Sequence, residues 1–471
     1  MSKPEEKKMS RRAYLQVAGG TVVGLAVGGA LGYLAKPSEV TTVTSTLTET
    51  VTVTGTAPPP TTPPAAAEIR IGGPLSLTGA MSAFGQGLNF GHLKAVEDIN
   101  KLGGVNVGGR KLPIKYIAYD DASDPTKAAS LASQLILADK VDALVHGNGP
   151  PVTTGPICVT ADRYKVPYLM GSPLEPWWAG GPYKYAWSIL FRIGMPIPSG
   201  DPRAGMPGYS ILDIFFALTD KYRAQTNEKV ALLAADDADG RGWYGAFPPA
   251  LVDKGYEPLG TDRNLGLYPP GTTDFSSMIR EWRDNKCEIL WGNLPGPDFG
   301  IAWRQCAELG YRPKIAIAAR AALFYEDVSA WGGNLPWGVG VEIWWDPTYP
   351  YKGIGDTTPA SLAERWYTET GKRLNRNIAF GYSAVQILAD AFERAGTLDK
   401  EAVNNAIANT DGMFMTGRIK FIPDTHDSPT PLTYGQWVKT DNPWVWELPI
   451  VLSFFPDLKP THDPIFPLPP L

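Results

Sequence analysis

The sequence predicts an α/β protein: two doubly wound α/β lobes joined by a three-stranded hinge. Three observations carry this. From Ile69 to Met170, short apolar runs alternate with segments of helical period, the pattern of a parallel sheet covered by helices. An aperiodic Gly/Pro-rich stretch, Gly194–Gly208, then intervenes, and the same alternation restarts at Lys229. After a third apolar run, Val339–Trp344, two more helical segments follow, Pro359–Thr370 and Ala379–Ala395, and a tail begins near Gly412. With 471 residues the chain is long enough for two lobes with cores of their own.

The first strand is Ile69–Ile71, followed by the turn-forming loop Gly72–Gly79. From about Gly85 a helix carries Leu88, Leu93, Val96, Ile99 and Leu102, and Gly103-Gly104 stops it. Leu112–Tyr119 is the second strand. Asp124-Pro125 opens the next helix, with Asp as N-cap and Pro in the first turn. Ala143–Val145, a helix over 152–164 and Tyr168–Met170 complete the first series. The second series has strands at Lys229–Ala235, Glu288–Trp291 and Lys314–Ala318, with a helix at Asp298–Leu309. In such sheets ligands bind beyond the carboxyl ends of the strands, so the loops there form the mouth of a site. The implied division is 68–190 and 344–411 for the first lobe, and 191–343 and 412–455 for the second, with 456–471 as a Pro-rich surface tail.

Residues 1–36 read as an address or anchor. Lys3, Lys7, Lys8, Arg11 and Arg12 precede an apolar run from Val17 to Ala35, roughly 28 Å long as a helix and close to the apolar thickness of a bilayer. Ser10–Leu15 resembles a twin-arginine export signal. The basic flank stays cytoplasmic, which places the remainder outside. Residues 37–67 are rich in Thr, Val and Pro and read as a disordered stalk reaching roughly 100 Å when extended. The expectation is an extracytoplasmic protein, tethered to the membrane through this segment if it is not cleaved.

Composition and motifs exclude several classes. A net charge of -5 gives no basic face for nucleic acid. No GxxxxGK[ST] loop and no GxSxG elbow occurs, and Gly85-x-Gly87-x-x-x-Gly91 departs from a dinucleotide fingerprint at Phe90. The four histidines are not at metal-ligand spacing. Asp237-x-Asp239-Gly240 hints at a calcium loop, but Ala246 stands where the ligating Glu belongs. The expectation is no cofactor, no metal and no enzymatic activity. Cys158, Cys287 and Cys306 read as buried thiols, with a Cys287–Cys306 bridge as the alternative.

Pro74–Gly79, Phe84-Gly85, Ala95–Asn100, Gly103-Gly104 and Tyr119–Pro125 form an ordered series. The series resembles the leucine/isoleucine/valine-type periplasmic binding proteins, type 1 solute receptors of branched-chain amino-acid ABC transporters. The resemblance spans about 68–455. It implies a small-molecule ligand held between two lobes and delivered to ABC permease subunits in the membrane. The alternative is an extracellular ligand-sensing receptor domain of the same fold.

The family's amino-acid clamp carries over only in part. Its carboxylate-binding serine falls at Pro151, which has neither hydroxyl nor N–H. Its threonine falls at or near Leu174, and its second-lobe acid falls within Ala319-Arg320-Ala321, where no acid stands. Its first-loop aromatic survives as Phe84. Asn148, Thr153, Ser172 and Asn293 are the polar residues placed to substitute. Glu175 and Asp239 suit a cation, and Phe84, Trp177 and Trp243 suit an aromatic box, the alternative for Trp177-Trp178 being a place in the core. Arg320 hints at an anion, its alternative being a side chain that faces solvent.

Overall fold

In a computed structural model, the described residues are 68–178 and 180–470. The signal, anchor and stalk expected over 1–67 lie outside them. No helix among the described residues is long and apolar enough to cross a membrane.

Two sheets organise the chain. The first is built from β1 (Ile69–Leu75), β4 (Ile114–Asp120), β5 (Ala143–Asn148), β6 (Tyr168–Gly171) and β7 (Ala186–Ser188), all parallel, in the order β4-β1-β5-β6-β7. Between β1 and β4 a small hairpin, β2 (Val105–Val107) and β3 (Arg110–Leu112), turns at Gly108-Gly109, both at positive φ. The run expected as one strand from Leu112 is therefore broken at Pro113, which has no N–H for the ladder. Helices α1 (Ser82–Lys101), α2 (Pro125–Leu137), α3 (Pro151–Tyr164) and the short α4 (Leu174–Trp178) alternate with these strands. Asp124 caps α2 by accepting the Lys127 N–H at 2.7 Å, with Pro125 behind it.

The second sheet repeats the order. Helix α5 (Ile211–Lys221) leads into β8 (Lys229–Ala235) and α6 (Ala238–Asp253). The edge strands β9 (Glu257–Pro258) and β10 (Leu267–Tyr268) follow, then α7 (Ser276–Asp284), β11 (Ile289–Asn293), α8 (Gly296–Glu308), β12 (Ile315–Ala319) and β13 (Gly340–Ile343). The strands run β10-β8-β11-β12-β13, parallel, so both sheets reverse winding beside their first strand. The chain returns to the first sheet with α9 (Pro359–Thr370), α10 (Asn377–Ala395) and α11 (Lys400–Ala408). The hairpin β14 (Asp411–Phe414) and β15 (Gly417–Lys420) still packs there, with Ser383 and Thr416 hydroxyls 2.9 Å apart. Only β16 (Thr433–Gln436) rejoins the second sheet, antiparallel on β13, before the small hairpin β17 (Val438–Lys439) and β18 (Trp446–Glu447); β19 (Ile450–Ser453) then pairs with β16.

The glycines that invite a nucleotide reading have a packing role. A Cβ at Gly91 would lie 2.1 Å from the Ile378 carbonyl oxygen, and one at Gly85 would lie 2.2 Å from that of Ser76. They let α1 lie directly on α10 and on the loop after β1. The Pro-rich tail is docked: Ile465 exchanges hydrogen bonds with the Gln436 side chain at 2.8 and 3.0 Å, the Leu468 N–H donates to Lys314 at 2.9 Å, and Phe466 stacks on Tyr222. Proline fixes the backbone of such a strap in advance, at little further entropic cost. All three cysteines are free and buried, so the alternative Cys287–Cys306 bridge is not formed.

Candidate functional site

The site lies where both sheets present their switch points, the positions a doubly wound sheet leaves open to a ligand. A cavity of about 40 Å3 opens between the N-terminal turns of α1 and α6, the β5–α3 and β6–α4 loops, and the ends of β11 and β12. Phe84, Pro150, Pro151 and Pro173 form its first-sheet wall. Asp239, Trp243, Asn293, Arg320 and Glu342 form its second-sheet wall. Phe191, Ile193, Ile211, Leu323 and Trp344 close the sides.

The second-sheet wall carries the polar chemistry. Asp237 is the N-cap of α6, accepting the Gly240 N–H at 2.8 Å, and its other oxygen accepts from Arg320 Nη1 at 2.9 Å. Asp239, in the first turn of α6, accepts from Asn293 Nδ2 at 3.1 Å and stands 3.5 Å from the same Nη1. The sequence that hints at a calcium loop is thus a helix cap and an ion pair. No cluster of metal-ligating side chains forms among the described residues. Burial raises the Asp239 carboxyl, Arg320 draws it back down and Asp237 adds to the rise. Burial also works against the Arg320 charge, but Asp237 and Asp239 outweigh it and raise the guanidinium pKa.

Arg320 is 4% exposed, so the solvent-facing alternative is not what the fold adopts. It sits just past β12 with φ of 62°, a left-handed turn that folds the side chain back over the strand end. Its Nε and Nη2 are buried and have no hydrogen-bond partner. Oε2 of Glu342 and the indole nitrogen of Trp243 are likewise unpartnered, while the Trp344 indole is directed to the Glu342 carboxyl and pulls its pKa down. Burial pushes the Glu342 carboxyl up to about 8, against the pull of its own backbone N–H and that of Arg320. Glu342 is therefore neutral through most of the physiological range.

Five of the ten residues singled out from the sequence, Phe84, Asp239, Trp243, Asn293 and Arg320, line the cavity. Asn148 is buried behind it; its backbone carbonyl accepts from Asn377 Nδ2 at 2.8 Å. Thr153 donates back to the Pro150 carbonyl at 3.4 Å, and Ser172 bonds Thr154 and the Gly149 carbonyl, each at 2.7 Å. These hydroxyls hold the loops and do not face the cavity. Glu175 accepts the backbone N–H groups of Ile193, Gly194 and Met195, so its carboxylate ties α4 to the segment leading toward α5. Trp177 is fully buried in a separate core against Trp178 and Tyr183. The box of Phe84, Trp177 and Trp243 is not assembled. Phe84 instead meets Phe324 at 4.7 Å and Trp344 at 6.0 Å.

Glu342 and Trp344 are site residues that sequence reasoning missed. Their signal is a charge inside an otherwise apolar strand, Gly-Val-Glu-Ile-Trp-Trp, where period-two alternation places it on the side opposite Val341 and Ile343. Asn377 is a third. Its Nδ2 bonds the carbonyls of both Phe84 and Asn148, stapling two loops of the mouth from α10.

The chain belongs to the periplasmic binding protein family, whose model matches residues 68–442. Members of this family act outside the cytoplasm. The chain is 24% identical over 355 residues to the leucine-, isoleucine-, valine-, threonine- and alanine-binding protein of Pseudomonas aeruginosa, covering 75% of this chain and 85% of that one. It is 26% identical over 339 residues to a Leu/Ile/Val-binding protein homologue of Brucella melitensis, covering 72% and 82%. A leucine binding protein of Thermotoga maritima superposes with a TM-score of 0.65 at 20% identity, covering 82% of this chain and 99% of that one. An ABC-transporter solute binding protein of Rhodopseudomonas palustris, in complex with 3,4-dihydroxybenzoic acid, superposes with a TM-score of 0.64 at 20% identity, covering 84% and 99%. These relatives are solute-binding proteins for amino acids and other small molecules.

Proposed function

We propose that this chain is the solute receptor of an ABC importer. It captures a small organic molecule between the two lobes, one built on each sheet, and hands it to a membrane permease. The observation that carries the reading is the cavity at the paired switch points, with buried unpartnered nitrogens of Arg320 on one wall and an apolar opposite wall. Unpaired buried polar groups are costly, and a ligand that bonds them recovers that cost. A ligand that contacts both walls stabilises the closed arrangement over the open one by its difference in affinity for the two, and the closed form is what a permease reads. Tethering through residues 1–36 belongs to the same proposal.

The fold leaves the cargo open. Proteins with this fold are seen in complex with isoleucine in one case and with 3,4-dihydroxybenzoic acid in another. In this chain Pro151 removes a hydroxyl from the first-lobe wall. The test is thermal unfolding of the full chain against leucine, valine, amides, aliphatic and aromatic acids, quaternary amines and oligopeptides. A true ligand at a hundred times its Kd stabilises by about 2.7 kcal/mol, a readable shift in Tm. No shift with any class would overturn the receptor reading.

A further inference from the structure

We propose that the ligand is a short aliphatic monocarboxylate whose carboxylate docks side-on against Nε and Nη2 of Arg320, so that this receptor reads an acid and not a zwitterionic amino acid. The proposal rests on the solute-receptor reading above and names its substrate class.

Arg320 has one edge of its guanidinium left to give. Its Nη1 is held by Asp237 at 2.9 Å, with Asp239 at 3.5 Å. The remaining edge, Nε with Nη2, is the face of a guanidinium that takes a carboxylate through two parallel hydrogen bonds. Both atoms are buried and unpartnered, on a side chain that lines the cavity and is 4% exposed. The other unmet groups on the lining point the same way. The indole nitrogen of Trp243 is a donor. Glu342, which burial keeps protonated, offers an O–H. Unsatisfied capacity in this cavity is almost wholly donor capacity, so the matching ligand brings acceptors.

The cavity is correspondingly poor in places for an ammonium group. Asp239 is already engaged by Asn293 and Arg320. Glu342 is neutral, and the opposite wall is Phe84 with three prolines. Those groups suit an apolar chain. At about 40 Å3 the cavity is roughly three times what a single water needs, which fits a carboxyl group on a short chain.

Isovalerate, isovaleramide and valine share one carbon skeleton and differ only in the groups at issue. In calorimetry on the full chain at pH 7, with propionate and butyrate alongside, isovalerate is expected to bind at least tenfold tighter than isovaleramide or valine. Arg320→Lys keeps a cation beside Asp237 but lacks the two-donor edge. It is expected to weaken isovalerate at least thirtyfold while leaving isovaleramide within threefold. If that variant does not fold by circular dichroism, the comparison of the three ligands decides alone. Valine binding as tightly as isovalerate would overturn the proposal and leave the receptor reading standing. So would equal affinity for isovaleramide. Silence from every acid would overturn the proposal, and the receptor reading falls with it only if the broad thermal panel is silent too.

Discussion

Arg192 and Asp427 form a two-point ion pair, Nη2 to Oδ1 at 2.8 Å and Nε to Oδ2 at 2.9 Å, with both side chains 1% exposed. They come from different crossings between the two sheets. Arg192 lies between β7 and α5, and Asp427 lies between β15 and β16. The backbone joins them as well, through Ser188 N–H to the His426 carbonyl at 2.9 Å and Ser428 N–H to the Ser188 carbonyl at 2.8 Å. Two of the three connections are thus fused into one unit. Removing one partner strands a buried charge, which typically costs about 3–5 kcal/mol. Arg192→Met is therefore expected to lower the stability of the folded chain by that amount in urea unfolding. The double variant Arg192→Met with Asp427→Leu is expected to recover most of the loss. A loss under 1 kcal/mol in the single variant would mean that the pair carries no weight.

Glu342 makes stability depend on pH. Its ordinary carboxyl value of 4.5 is raised to about 8 in the fold, first by burial. A raised acid contributes stability that is complete below about pH 4.5 and is lost as pH climbs through about 8, because the unfolded chain ionises freely while the folded one holds its proton. The Arg320 backbone N–H and the Trp344 indole pull the carboxyl down and Asp239 pushes it further up, and the pull does not reverse the sign. Glu342→Gln mimics the protonated form at every pH. The variant is expected to gain on the parent by a few kcal/mol between pH 6 and pH 9, read as a Tm difference that widens with pH. A constant difference across that range would show that Glu342 is ionised throughout.

How much of this was legible in the sequence follows from where each residue sits. Asn293 and Arg320 stand at the carboxyl ends of strands, and Phe84, Asp239 and Trp243 in the first two turns of the helices that follow β1 and β8; alternation alone locates those ends. Thr153 and Glu175, in the first turns of α3 and α4, and Ser172, just before α4, follow equivalent strand ends, yet their side chains bond backbone groups instead of facing the cavity. Sequence position cannot separate a hydroxyl that staples a loop from one that faces a ligand. Trp177 is a core residue because α4 packs it under Tyr183, a tertiary event with no local signature. Glu342 was hidden for a different reason. Val339–Trp344 reads as a crossing, whereas Gly340–Ile343 is a full strand between β12 and β16, and this places the acid against the site.

Helix contact between α1 and α10 depends on missing side chains. At Gly381 an added Cβ would lie 2.3 Å from the Leu88 carbonyl oxygen, the counterpart of the contact at Gly91. Backbone atoms cannot move aside as a flexible side chain would, so the helices must separate. Gly91→Ala is expected to cost about 1–3 kcal/mol in urea unfolding, even though alanine favours a helix in isolation. A neutral or stabilising result would show that α1 and α10 have room to shift.

The two tryptophans Trp243 and Trp331 separate packing from binding. Both are almost wholly buried, at 1% and 2% exposure, and both pack on neighbouring aromatics: Trp243 stacks on Phe247 at 4.3 Å, and Trp331 lies tilted against Phe299 at 4.9 Å. Truncating either leaves a cavity and is expected to cost about 3–5 kcal/mol of stability. Only Trp243 lines the site, where its indole nitrogen is unpartnered. With ligand affinity measured at a temperature where both variants are folded, Trp243→Ala is expected to weaken binding more than tenfold and Trp331→Ala less than threefold. Small and equal changes would mean that the ligand does not touch the α6 wall, and the cavity assigned here would not be the binding site.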